Sequence, residues 1–187
     1  MSKGSGTTRG VESMKDALRI MSYAEGFTPQ SLAIQNYQSY TGIEINKKLR
    51  NGDGLTKFES SVVNVMDSDM KPVTYKDLFR ASSIHRLLEG ANVTSINDLQ
   101  GKKISEKSFL STSIDPNFDK IPNIQAYIHF RNTANIKAID TNTHEGMNPI
   151  YANQKEVIVE RNASYRIDKI RYDGKYYRIE ASFIKKK

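Results

Sequence analysis

Apolar residues in the first third of the chain recur at helical spacing. Met14, Ala17, Leu18 and Met21 place a helix over Val11 to Ala24, which Gly26 stops. Thr28-Pro29 then reads as a helix start, with Thr28 as N-cap and Pro29 in the first helical position. That helix would carry Leu32, Ile34 and Tyr37 until Gly42 interrupts it, and a third would run from about Glu44 to Asn51. Phe58, Val62, Val65 and Met66 give a fourth over Thr56 to Ser68, although its β-branched valines favour the helix less. From Tyr75 the pattern shortens to strands at Asp77 to Phe79, Lys107 to Thr112, Ala126 to Phe130 and Ile136 to Ile139. Further strands follow at Val157 to Val159, Ser164 to Tyr172 and Tyr176 to Phe183. Between the last two, Asp173-Gly174 predicts a type I′ hairpin. Helices segregated ahead of strands predict the α+β class, in a single domain over residues 1–187 whose helical part is about 11–68.

Composition narrows the class of protein. A chain of 187 residues with 37% hydrophobic content can bury one sizeable core. It has no run near the ~18 apolar residues of a membrane span, and Met1 to Gly10 lacks a signal-peptide core, so a soluble chain is expected. Zero cysteines exclude disulfides and thiolate-held zinc. His85, His129 and His144 are too scattered for a zinc site. There is no Gly-x-Gly-x-x-Gly and no Gly-Lys-Ser/Thr loop, which argues against dehydrogenases and P-loop enzymes. The formal charge of +7 permits an anionic partner, but the basic residues are spread along the chain and Lys185 to Lys187 reads as a solvated tail.

Candidate chemistry centres on Tyr151-Ala152-Asn153-Gln154-Lys155-Glu156-Val157. Alternation along a strand would project Gln154 and Glu156 to one side and Lys155 to the other. An amide and a carboxylate together can hold a polar target and stabilise positive charge. The spacing alone also fits an ordinary solvated strand face. Three other segments precede it: Asn46-x-x-Leu49-Arg50, Asp77-Leu78-Phe79-Arg80, and Phe109-Leu110-Ser111-Thr112-Ser113. Arginine, Ser-Thr-Ser and Gln-x-Glu in this order resemble the bacterial mono-ADP-ribosyltransferases, in particular the clostridial and bacillary exoenzymes that inactivate Rho GTPases by modifying an asparagine. The resemblance runs from about Ala24 to the C-terminus.

That resemblance implies an ADP-ribosyltransferase fold of two roughly perpendicular antiparallel β-sheets flanked by N-terminal helices. It implies NAD as co-substrate, no metal, and release of nicotinamide, with slow NAD hydrolysis as a side activity. Glu156 matches the catalytic glutamate that stabilises the cationic ribose, and Ser111 would orient it while Thr112 and Ser113 support the NAD site. Arg80 corresponds to the arginine on the pyrophosphate, followed here by Ala81 rather than glycine; Arg50 matches a second arginine on the nucleotide. The loop Asp115 to Pro122 is placed like one that touches phosphate and nicotinamide, which gives Phe118 a stacking role and Lys120 a shifted phosphate contact. Gln154, where arginine-modifying relatives carry a second glutamate, and Tyr151 would meet the acceptor. The implied protein is a secreted monomer acting in a host cytoplasm on a Rho-type GTPase, without a membrane role. The alternatives are a transferase acting on guanine in DNA and an inactive NAD-binding module.

Overall fold

The computed structural model describes residues 28–117, 124–144 and 155–186, and the helix expected over Val11 to Ala24 lies outside them. The described chain divides into two compact units: residues up to Asp69 together with His144, and Met70–Thr143 together with the residues from Lys155 on.

The first unit is helical. Helix α1, Pro29–Tyr37, starts as its sequence specifies, with the Thr28 hydroxyl accepting from the Ser31 amide at 3.1 Å and Pro29 in the first turn. It ends at Tyr37, earlier than Gly42. Helix α2, Tyr40–Asn51, begins four residues before the expected Glu44 because Ser39 caps it, and Gly52 at φ 76 closes it. Gly42 is buried inside α2 rather than between helices. A Cβ there would lie 1.7 Å from the Tyr37 carbonyl oxygen, so the residue sets how closely the two helices approach. Helix α3, Lys57–Asp69, opens with a reciprocal cap. The Thr56 amide donates to Glu59 Oε2 at 2.7 Å and the Glu59 amide to Thr56 Oγ1 at 3.2 Å. The same carboxylate takes Lys48 Nζ at 2.8 Å on each oxygen. α1 packs on both other helices, burying Leu32, Ile34, Ile45, Val62 and Met66.

The second unit carries nine strands: β1 Lys71–Pro72, β2 Leu78–Ser82, β3 Lys103–Glu106, β4 Leu110–Ser113, β5 Ala126–Arg131, β6 Lys137–Asp140, β7 Glu156–Val159, β8 Ala163–Tyr172 and β9 Tyr177–Ile184. The α+β class holds, with one correction to the order. Helix α4, Ile84–Ala91, sits between β2 and β3, so helices do not simply precede strands. Its signal is in the sequence: Ser83 as N-cap and Ile84, Leu87, Leu88 and Ala91 at helical spacing. The strand expected over Lys107 to Thr112 is β4, which starts only at Leu110, and β3 just before it was not foreseen.

The strands bond in the order β1-β6-β7-β4-β2-β5-β9-β8-β3, antiparallel except for the parallel pair β5/β9. Where two sheets were expected, the nine strands form one continuous hydrogen-bonded sheet, in which the groups β1-β6-β7-β4 and β2-β5-β9-β8-β3 meet through the single pair Phe79 and Ser113. One cluster spans both groups, with Leu110, Val157 and Val159 from one and Leu78, Ile128, Phe130 and Phe183 from the other. Phe130 stacks on Phe183 at 4.7 Å and meets Tyr165 edge-on at 5.0 Å. The β8–β9 hairpin lies where Asp-Gly placed it, but as a loop of Asp173 to Tyr176. Gly174 is at φ 96 and Asp173 is not at positive φ, so the turn is not type I′. The Asp173 carboxylate closes the loop instead, accepting from the Lys175 and Tyr176 amides and from Arg178.

Candidate active site

Glu156 opens β7 and is 8% exposed. Register decides its company. Ser113 lies directly opposite Glu156 on β4, and Phe79 directly opposite Ser113 on β2, so these three side chains form a row on one face. Ser111 is opposite Ile158, hence on the same face and one diagonal step from Glu156, within reach of a long side chain. Thr112 points to the other face, where its hydroxyl donates to the Val157 carbonyl at 2.6 Å and ties β4 to β7.

The carboxylate is held through its own backbone. The Glu156 carbonyl accepts from the Thr141 amide at 3.2 Å, the Thr141 hydroxyl at 2.8 Å and Asn142 Nδ2 at 3.2 Å. Asp140 shapes that turn by accepting from the Asn142 amide at 3.0 Å. Sequence reasoning missed Thr141 and Asn142; the Asp-Thr-Asn turn signal was present, but the sequence does not tell which carbonyl it serves. Lys155 also departs from expectation. It stands at φ 45, before the strand begins, so strand alternation does not relate Gln154 to Glu156. Its carbonyl accepts from the Ile114 amide at 3.1 Å and its Nζ pairs with Asp115 at 3.0 Å. These two contacts join the residues after β4 to those before β7. The Asn117 amide and then Lys155 hold the Asp115 carboxyl below the usual carboxylate range.

Arg80 is a middle residue of β2, because the ladder to β5 continues through Ala81 and Ser82, and does not end a strand after Phe79. Its Nη1 donates to the Ser111 carbonyl at 2.5 Å, bridging the two strand groups beside their single register pair. It also lies in the field of the buried Tyr165. Burial first and Glu106 second raise that phenol above the ordinary tyrosine range, while Arg80 and Arg86 oppose them. Arg86 pairs with the buried Glu106 at 3.3 Å, and Ser108 donates to Glu106 from both its amide and its hydroxyl.

Arg80, Ser111, Thr112, Ser113 and Glu156 stand on three neighbouring strands, β4 between β2 and β7, with Ser111, Ser113 and Glu156 on one face and Thr112 on the other; Arg80, next in sequence to Phe79, alternates to the side of Leu78. Arg50 belongs to the helical unit, in the last turn of α2. In that unit Asn46 donates to the Tyr37 hydroxyl at 2.7 Å. Phe118, Lys120, Tyr151 and Gln154 lie outside the described residues. Of the histidines, the His129 ring meets the Asp77 carboxylate at 2.7 Å and the His144 ring that of Asp69 at 2.9 Å.

The described fold is shared by solved bacterial toxins. An ADP-ribosyltransferase from Clostridium botulinum is 22% identical with a TM-score of 0.63, covering 99% of this chain and 100% of that one. Exoenzyme S from Pseudomonas aeruginosa, solved with human 14-3-3 protein beta and carba-NAD, is 16% identical with a TM-score of 0.66, covering 95% and 88%. The enzymatic component of the Clostridium botulinum C2 toxin is 16% identical with a TM-score of 0.65 over 89% of this chain, which spans only 45% of that longer protein. No curated protein sequence matches the chain. The family model for the ADP-ribosyltransferase exoenzyme matches residues 19–186, across both units. With that match over nearly the whole chain, the protein belongs to the ADP-ribosyltransferase exoenzymes, a family of NAD-dependent mono-ADP-ribosyltransferases.

Proposed function

We propose that this chain transfers ADP-ribose from NAD to an asparagine of a Rho-type GTPase with release of nicotinamide, and slowly hydrolyses NAD when no acceptor is present. The observation that carries the reading is the placement of a buried carboxylate, Glu156, one strand from the Ser111 carbonyl that Arg80 grips. Breaking the bond between nicotinamide and ribose builds positive charge on the sugar, and a carboxylate in a partly dehydrated site stabilises it. Nicotinamide leaves as a neutral group, so no general acid is needed to expel it and one carboxylate suffices. In this reading Glu156 is catalytic and Ser111 positions its carboxylate. Arg80 anchors the pyrophosphate, with Arg50 as a second nucleotide contact. Thr112 and Ser113 shape the strand that lines the site, and Phe118 stacks on nicotinamide. Gln154 and Tyr151 meet the acceptor, where an amide suits an amide nucleophile better than a guanidinium. The two compact units act as one catalytic domain, which the span of the family model supports. The protein would act as a secreted monomer inside a host cell; among the described residues no helix is long and apolar enough to cross a membrane.

Incubation with labelled NAD and, separately, a Rho-type GTPase, actin and double-stranded DNA tests the acceptor. Label on the GTPase alone supports the proposal, and label on DNA alone replaces it with guanine modification. Glu156→Gln should slow nicotinamide release by ~100-fold or more while leaving NAD affinity within a few-fold. Wild-type release by that variant would remove Glu156 from the chemistry.

A further inference from the structure

Glu156 lies one residue beyond the last register pair of β6 with β7, Asp140 opposite Val157. The hold on that side passes to the turn after β6, which sets three donors on the Glu156 carbonyl. Asn142 supplies one of them from an exposed position. Its Nδ2 has two neighbours, Asp140 Oδ1 at 2.8 Å and the Glu156 carbonyl at 3.2 Å. Both neighbours only accept, so each hydrogen of the amide has a use and the group can point one way only. Behind Asn142 the line of contacts runs inward. Asp140 Oδ2 takes the Tyr75 hydroxyl at 2.8 Å, and the Tyr75 carbonyl takes the buried Thr133 hydroxyl. The Asp140 bond first, and burial second, raise the Tyr75 phenol above its ordinary value, which keeps it a donor. An exposed asparagine contributes little to stability by burial, so this ordered line calls for another account.

We propose that Asn142 is a positioning residue for the reaction: held by Asp140 and Tyr75, it fixes the peptide plane after Glu156 and with it the direction in which the carboxylate meets the ribose of NAD. The inference rests on Glu156 being the catalytic carboxylate. The peptide unit after a residue sets its ψ, and the Cα–Cβ bond follows the backbone, so a loose carbonyl lets the side chain swing. Lys155, on the other side, leaves strand geometry at φ 45, which makes the turn the support that reaches Glu156 from β6. Misplacing a reacting group by about 1 Å can cost ~100-fold in rate, so looseness here acts on turnover rather than on NAD binding. Thr141 shares the task, but its hydroxyl is buried and its other donor is backbone. Asn142 is therefore the side chain whose loss separates positioning from packing.

The test follows nicotinamide release from NAD without acceptor, with NAD affinity measured by calorimetry. Asn142→Ala should lower kcat by ~10-fold while KM and Kd stay within about two-fold, and its urea unfolding midpoint should match wild type. Asn142→Asp keeps the size but sets a carboxylate against two acceptors, so kcat should fall further. Tyr75→Phe removes only the hydroxyl behind Asp140 and should cost ~3-fold with the same split. Thr143→Ala is the control, because Thr143 bonds the Asp140 carbonyl rather than its carboxylate; release should stay within about two-fold of wild type. Added to Glu156→Gln, Asn142→Ala should cost less than ~2-fold more, since the charge it positions is gone. A wild-type kcat for Asn142→Ala, a loss carried by Kd, or a fully additive loss in the double variant would overturn the proposal. So would an equal loss in Thr143→Ala, which would make the effect one of turn stability. Wild-type release by Glu156→Gln alone would overturn the catalytic reading and the inference with it, so that variant tells the two failures apart.

Discussion

Arg80 illustrates how one side chain can serve structure and ligand together. Its bond to the Ser111 carbonyl holds β2 against β4 where only one register pair joins them, and its planar guanidinium retains the fork geometry that suits phosphate. Arg80→Lys preserves charge but loses both features. NAD affinity measured by calorimetry should fall by ~10-fold or more, since the chain has no tryptophan to report binding by emission; unchanged affinity would confine Arg80 to a structural role. Thr112 is a purely structural neighbour by comparison. Its 2.6 Å bond to the Val157 carbonyl is buried, so Thr112→Val leaves an acceptor without that donor and should destabilise the fold by ~1–3 kcal/mol in denaturant titration.

At the scale of elements, helix α3 depends on one carboxylate with two tasks. Glu59 caps the Thr56 amide and binds Lys48, and those hydrogen bonds, Lys48 first, lower its pKa. A depressed carboxylate stabilises the folded state above its unfolded pKa of about 4.3, and the contribution is lost as pH falls through the lower folded value. Glu59→Gln keeps a cap but loses the charge. It should therefore lower stability by ~1 kcal/mol at neutral pH, with the difference from wild type closing below pH ~4 in parallel unfolding curves. A gap that stayed constant with pH would mean that the charge contributes nothing. Nearby, Gly42 shows the limit of punctuation rules: it resembles a helix breaker, yet its role is to let α2 approach the Tyr37 carbonyl. The hairpin turn gives the same lesson, since Asp-Gly located it correctly while the Asp173 carboxylate fixed its shape.

For the whole molecule, the strand network predicts where the second unit opens last. β8 and β9 share eight register pairs and β9 also pairs with β5, whereas β1 contributes two residues at an edge, one of them proline. Native-state hydrogen exchange should find Ile128, Ile167 and Ile179 amides among the slowest, and those of β1 and β4 faster. Equal protection throughout would mean the thin joint at Phe79 and Ser113 has no energetic expression. Much of the protein was legible in its sequence. The cap at Thr28, the strands β5 to β9 and the three motifs follow from local rules, because side-chain period and capping act within a few residues. The family followed from the motifs in order. What required the tertiary structure was register: that Ser113 rather than Ser111 stands opposite Glu156, that Thr141 and Asn142 hold the Glu156 backbone, and that Lys155 leaves the strand conformation. Hydrogen-bond pairing between strands distant in sequence sets the match of Ser113 with Glu156, and a one-residue slip of β4 would turn Ser111 and Ser113 to the opposite face.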